Sequence, residues 1–319
     1  MNRTVFLVAA GSALATTAFP DTARADDADI TLATKTGNIF GTLRLPATAG
    51  RVPVVIIIAG SGPTDRDGNS PLLPGKGNTQ KLLASALAAG GIASVRYDKR
   101  GIGASRLALT SESDIRFEAY VDDAAAWVAM LRSDRRFSHV TIAGHSEGSL
   151  IGMVAARTAA ADGFVSLEGA GRPSAAILRE QLQKLPPATF AQADAIIASL
   201  QAGKTVSDVP PELMTLFRAS VQPYLISWFR YDPAAEIAKL HIPVAIVQGT
   251  ADVQVTMTDA NALAGANPRA KLVVVPGMNH VLKHAPDTSS QAAILSGYTD
   301  PALPVEPAVT DAVATIAFG

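Results

Sequence analysis

The sequence predicts an α/β fold: a mostly parallel central sheet with helices on both faces and an inserted helical cap. Three observations carry this. Solid apolar runs of strand length, Val52–Ala59 above all, alternate with segments of helical spacing. A block without strand character, residues 174–239, interrupts that alternation. One strand, Val140–Ala143, runs straight into Gly144-His145-Ser146-Glu147-Gly148, and a helix leaves it.

The elements follow in order. Residues 28–46 alternate around Lys35-Thr36-Gly37-Asn38 and read as a β-hairpin. Val52–Ala59 is apolar throughout, as in a strand covered on both faces, and ends at Gly60-Ser61-Gly62-Pro63. Gln80–Ala89 is helical and stops at Gly90-Gly91. Ile92–Tyr97 is the next strand. Residues 114–132 place Phe117, Val121, Ala124, Val128 and Leu131 at helical spacing. After the strand Val140–Ala143 and its glycine-bounded turn come a helix at Leu150–Ala161 and a short strand at Phe164–Leu167. Within 174–239, Pro186-Pro187 and Pro210-Pro211 punctuate a helical block. Strands resume at Val244–Gln248 and Lys271–Val275, and a last helix spans 307–318.

These elements divide the chain into a core of residues 26–173 and 240–319 and a cap of residues 174–239. Residues 1–25 read as a signal peptide: Arg3, an apolar run over Val5–Phe19, then Ala23-Arg24-Ala25 before Asp26-Asp27. The expectation is a periplasmic or secreted protein with no stable membrane insertion after cleavage. The formal net charge is −1, which argues against a nucleic-acid partner. The chain contains no cysteine, which removes thiolate nucleophiles, disulfides and thiolate metal sites. No metal site is expected: Asp65 and Asp67 are too isolated to make one.

Gly-x-Ser-x-Gly alone is weak; its setting between strand and helix strengthens it. A nucleophile on so tight a turn needs neighbours without side chains, which Gly144 and Gly148 supply. A serine hydroxyl also needs a base, and the base an orienting acid. Of five histidines, His280 follows the last strand directly in Pro276-Gly277-Met278-Asn279-His280, with His284 as runner-up. Asp252, in Gly249-Thr250-Ala251-Asp252 after the preceding strand, is the expected acid; Glu168 is a rival. Asp259, in the following helix, is expected to be solvated. Two backbone N–H groups are expected to form the oxyanion hole, those of Glu147 and Ser61, with Gly62 the second choice for the latter. The charged runs Asp65-Arg66-Asp67 and Asp98-Lys99-Arg100 read as loop braces held by ion pairs.

With these motifs the chain resembles the α/β-hydrolase superfamily along nearly all of residues 26–319. More narrowly it resembles the bacterial carboxylesterases of the esterase D-like group, related to serine aminopeptidase-type hydrolases. The residues that carry this are Gly60–Gly68, Tyr97–Ser105, Gly144–Gly148, Gly249–Asp252 and Gly277–His280. One departure is Ala59-Gly60, where the group usually has His-Gly before the oxyanion donor. The resemblance implies hydrolysis of small-molecule esters of short to medium acyl chain, without cofactor, under a helical cap. Phe217, Tyr224, Trp228 and Phe229 of the cap are expected to contribute to an acyl pocket, although most cap apolar residues, Leu213 included, must form its core. A peptidase, amidase or thioesterase with the same triad, or a binding protein that has kept only the fold, remain alternatives. Acyl and alcohol preference and the oligomeric state are not encoded in these motifs.

Overall fold

A computed structural model describes residues 27–285 and 287–319; the expected signal segment lies outside them. β1 (Asp27–Thr34) and β2 (Gly37–Arg44) form the expected antiparallel hairpin. β3 (Val52–Ile58) is buried at every residue, as its unbroken apolar run requires. α1 (Thr79–Ala89) ends at Gly90. β4 (Ala93–Tyr97), α2 (Phe117–Ser133), β5 (Phe137–His145), α3 (Glu147–Thr158) and β6 (Gly163–Leu167) continue the alternation.

Between β6 and the next strand lie five helices and no strand: α4 (Ser174–Leu182), α5 (Pro187–Gln201), α6 (Met214–Phe217), α7 (Gln222–Trp228) and α8 (Pro233–Ile237). Pro187 and Pro233 occupy first turns, where their missing N–H costs nothing. The chain then returns to the sheet with β7 (Val244–Gly249), α9 (Met257–Ala266), β8 (Lys271–Val275), α10 (Gln291–Thr299) and α11 (Pro307–Phe318). Sequence reading did not assign α10. Its apolar residues do not line one face, and among its residues only Gly297 is buried.

The sheet order is β1-β2-β4-β3-β5-β6-β7-β8. The pairs β1/β2 and β2/β4 are antiparallel, and every other pair is parallel. Alternate residues of β3 serve opposite faces. Val54, Ile56 and Ile58 join a core with α2, α3 and the helices of the 174–239 segment. Val55 and Ile57 join a second core with α1 and α11. Leu213, Phe217 and Tyr224 of that helical segment belong to the first core, continuous with the sheet. Because β3 to β8 run parallel, their carboxyl ends meet at one edge, and the loops that leave them converge there.

Candidate active site

β5 delivers Ser146 and α3 takes the chain away from it. Ser146 has φ 54° and ψ −121°, a backbone state that side-chain-bearing residues avoid. Its N–H is held by the Leu167 carbonyl at 2.9 Å. The strain requires near contact of strand and helix. A Cβ on Gly144 would lie 2.2 Å from the Gly148 carbonyl oxygen, and one on Gly148 would lie 2.4 Å from that of Ile58. α3 therefore starts at Glu147, three residues before the expected Leu150, with its positive end at the serine.

His280 and Asp252 come together from two loops. The Thr250 N–H donates to Val275 and the Ala251 N–H to Met278, which stitches the loop after β7 to the loop after β8. His280 Nδ1 lies 2.7 Å from Asp252 Oδ2, and both side chains are buried. The carboxylate only accepts, so Nδ1 carries the hydrogen and the other nitrogen, Nε2, presents its lone pair. Asp252 Oδ1 accepts the N–H groups of Gln254 and Val255 at 2.7 and 3.1 Å. Burial works to raise the Asp252 carboxyl, but the His280 charge and these hydrogen bonds outweigh it and hold the group below the usual carboxylate range.

Glu168, the rival acid, does not reach His280. Its Oε1 accepts the Gly249 N–H at 2.8 Å, and its carboxyl bonds to that of Asp252. Glu168 is fully buried, at φ 48°, on the last turn out of β6. Burial first, then the Asp252 charge, pushes it well above its ordinary value. Its Oε2 is buried and has no hydrogen-bond partner. His284, the runner-up base, is an exposed side chain bonded to Glu306 at 3.0 Å.

His145 has a place that sequence reading did not give it. Its Nε2 lies 2.6 Å from the His280 carbonyl, which only accepts, so Nε2 carries the hydrogen. Desolvation, then the neighbouring His280, lowers its pKa to about 4, so it stays neutral at pH 7.

Ser61 and Gly62 line the same cavity as Ser146 and Glu147. A Cβ on Gly60 would stand 3.2 Å from the Ser146 Cβ, so the loop after β3 lies against the serine. The cavity is about 700 Å³. Phe217, Tyr224 and Trp228 line it, whereas Phe229 does not and instead stacks on Trp228 at 6.5 Å. Tyr224 donates its hydroxyl to Glu147 Oε1. This link between the helical segment and the residue after the serine had no signal in the sequence.

The charged loops are braces in large part. Asp98 accepts from the Arg66 N–H at 2.8 Å and from its guanidinium at 2.8 Å. Arg100 pairs with Asp123 at 2.6 Å, and Arg96 with Asp67 at 2.8 Å. Asp259 is not solvated, contrary to expectation. It is fully buried, caps α9 and pairs with Arg172 at 2.8 Å. Its place in the first turn of α9, three residues after Thr256, is a capping-box signature that a reading by charge alone passes over.

The family model described as serine aminopeptidase, S33, matches residues 76–211. Esterase EstD of Thermotoga maritima is 27% identical over 263 residues, 81% of this chain; the chain spans 60% of that relative's length. Among solved structures, Est1E from Butyrivibrio proteoclasticus with ferulic acid bound is 19% identical at a TM-score of 0.57, over 83% of this chain and 96% of that one. The α/β-hydrolase GrgF from Penicillium sp. sh18 is 18% identical at a TM-score of 0.58, over 86% and 99%. A thermophilic esterase from Thermogutta terrifontis is 19% identical at a TM-score of 0.54, over 91% and 97%.

Proposed function

We propose that this chain, which has the fold of the α/β-hydrolases, is a serine esterase that cleaves small carboxylic esters of short to medium acyl chain. The observation that carries this most is the buried His280–Asp252 pair at 2.7 Å, whose imidazole stands 4.9 Å from that of His145, the residue before the strained Ser146. His280 Nε2 takes the Ser146 proton as Oγ attacks the ester carbonyl. The developing oxyanion rests on the N–H groups of Glu147 and Ser61. Collapse expels the alcohol, which receives its proton from His280. Water, activated by the same imidazole, then releases the acid from Ser146. Asp252 keeps the imidazole in the right tautomer and stabilises its charged form. Phe217, Tyr224 and Trp228 offer an apolar wall to the acyl chain, with no cofactor in any step. Export to the periplasm or beyond belongs to the same proposal, on the strength of residues 1–25 alone.

The Ser146→Ala variant tests it. Turnover of p-nitrophenyl butyrate should fall at least ~10⁴-fold with the melting temperature preserved. Full turnover in that variant removes the serine from the reaction. Fluorophosphonate labelling separates an enzyme from a binding protein on the same fold.

The family model favours a second reading, an aminopeptidase. Glu180 and Glu212 are the acidic residues of the helical segment that could bind a substrate amino terminus; Glu180 is paired with Arg172 at 2.6 Å and neither lines the cavity at Ser146, which supports esters instead. Aminoacyl anilides turned over faster than matched esters would reverse that order.

A further inference from the structure

Asp98, Lys99 and Arg100 form one charged run, but only Asp98 and Arg100 are explained as braces. Lys99 points inward. Its side chain is 2% exposed, and Nζ donates to Glu147 Oε2 at 2.7 Å and to the Gly60 carbonyl at 2.7 Å. The third side of the ammonium faces the Tyr120 ring, 5.0 Å from its centroid. An ion pair with Glu147 accounts for the first contact. The second has a different consequence, because the Gly60 carbonyl and the Ser61 N–H belong to one planar trans peptide. Fixing the oxygen on one side fixes the direction of the N–H on the other. A cation on the oxygen also polarises the peptide and strengthens its N–H as a donor.

We infer that Lys99 is a positioning residue for the oxyanion hole, holding the Gly60–Ser61 peptide so that the Ser61 N–H faces the reacting carbonyl at Ser146. It reaches both donor residues at once: the carbonyl side of the Ser61 peptide and the side chain of Glu147. Ala59 has no polar side chain with which to hold the loop, and Gly60 leaves the peptide free to rotate. Tyr224 occupies the other Glu147 oxygen, so the carboxylate cannot swing away from Lys99. The inference rests on the serine-esterase proposal and adds to it a residue that acts through the Gly60–Ser61 peptide.

The test compares Lys99→Met, Lys99→Arg and the double variant Lys99→Met/Glu147→Gln with the wild type. The double variant removes both buried charges and so keeps the fold if the single variant loses it. Three quantities are read: kcat and KM for p-nitrophenyl butyrate, and affinity for an alkyl boronic acid, whose adduct with the serine needs the oxyanion hole. Loss of a whole donor costs ~10²–10³ in kcat. A donor left in place but misaimed should cost about 10–100-fold, with KM changed less than about threefold and boronate affinity falling in parallel with kcat. The loss should persist in the double variant, because the Gly60 carbonyl still lacks its donor. Recovery of kcat in the double variant would overturn the inference, since only the Glu147 charge would then have mattered. So would unchanged kcat in a folded Lys99→Met protein. An active wild type with a dead Ser146→Ala variant keeps the esterase proposal intact in either case. A wild type inert toward esters and fluorophosphonate would sink both.

Discussion

The ring of His145 donates from Nε2 to the backbone carbonyl of His280 at 2.6 Å, and the two imidazoles stand 4.9 Å apart. His145, next to Ser146, thus anchors the main chain of His280. Its pKa, lowered to about 4 from 6.5, makes the contact pH-sensitive. Between those values the unfolded chain takes up a proton that the folded protein refuses. Stability supplied by neutral His145 is complete above pH 6.5 and is lost as pH falls through about 4. Urea denaturation of wild type and His145→Gln at pH 7 and pH 4 measures this. The wild type should lose more stability than the variant over that interval, and parallel losses would refute it.

Glu168 has the opposite sign. Its folded-state pKa lies above the ordinary 4.5, so its contribution is complete below that value and declines as pH rises through the folded pKa. Glu168→Gln keeps an acceptor for the Gly249 N–H and a donor toward Asp252, without the titration. The variant should gain on the wild type between pH 5 and pH 8 in the same assay. Activity should stay within about fivefold, because the group bonds to Asp252 and not to His280. A pH-independent difference between the two proteins would show that the carboxyl is already charged in the fold.

Gly148→Ala forces a methyl group 2.4 Å from the Ile58 oxygen and 2.7 Å from that of Ala59. Backbone cannot step aside there, so the expected loss is about 3 kcal/mol or more, read by thermal melting. Gly265→Ala in α9 meets nothing within 4 Å and should stabilise by up to ~1 kcal/mol. The pair of variants separates a glycine required by contact from one that is not.

Arg172→Met leaves the Asp259 carboxylate buried without its guanidinium. A loss of about 3 kcal/mol is expected, part of it regained in Arg172→Met/Asp259→Asn. If the single variant melts like the wild type, the N–H groups of Gly171, Arg172 and Thr256 suffice to hold the carboxylate.

The elements of the sheet were legible because both-face burial leaves an unmistakable record in β3, β5 and β7. Ser146, His280 and Asp252 could be proposed because each follows a strand in the expected order, and the structure joins His280 to Asp252. What lay hidden depends on distant pairs. Nothing near Lys99 says that it faces Glu147, 48 residues on, or that Tyr224 meets the same carboxylate from a helix 77 residues beyond it. Glu168 was visible as an acid after β6, but its position against Asp252, and hence the rise in its pKa, needs the register of β6 with β7.

The helices between β6 and β7 share their apolar interior with the sheet: Phe217 and Leu213 sit in the same cluster as Val54 and Ile58. That shared interior gives the segment no independence. It should melt with the rest in one transition, and protease attack on it should await global opening. Grafting the corresponding segment from a relative would carry half of a foreign core with it. Changes of substrate preference are therefore more accessible to single substitutions along the cavity wall than to exchange of the segment as a module.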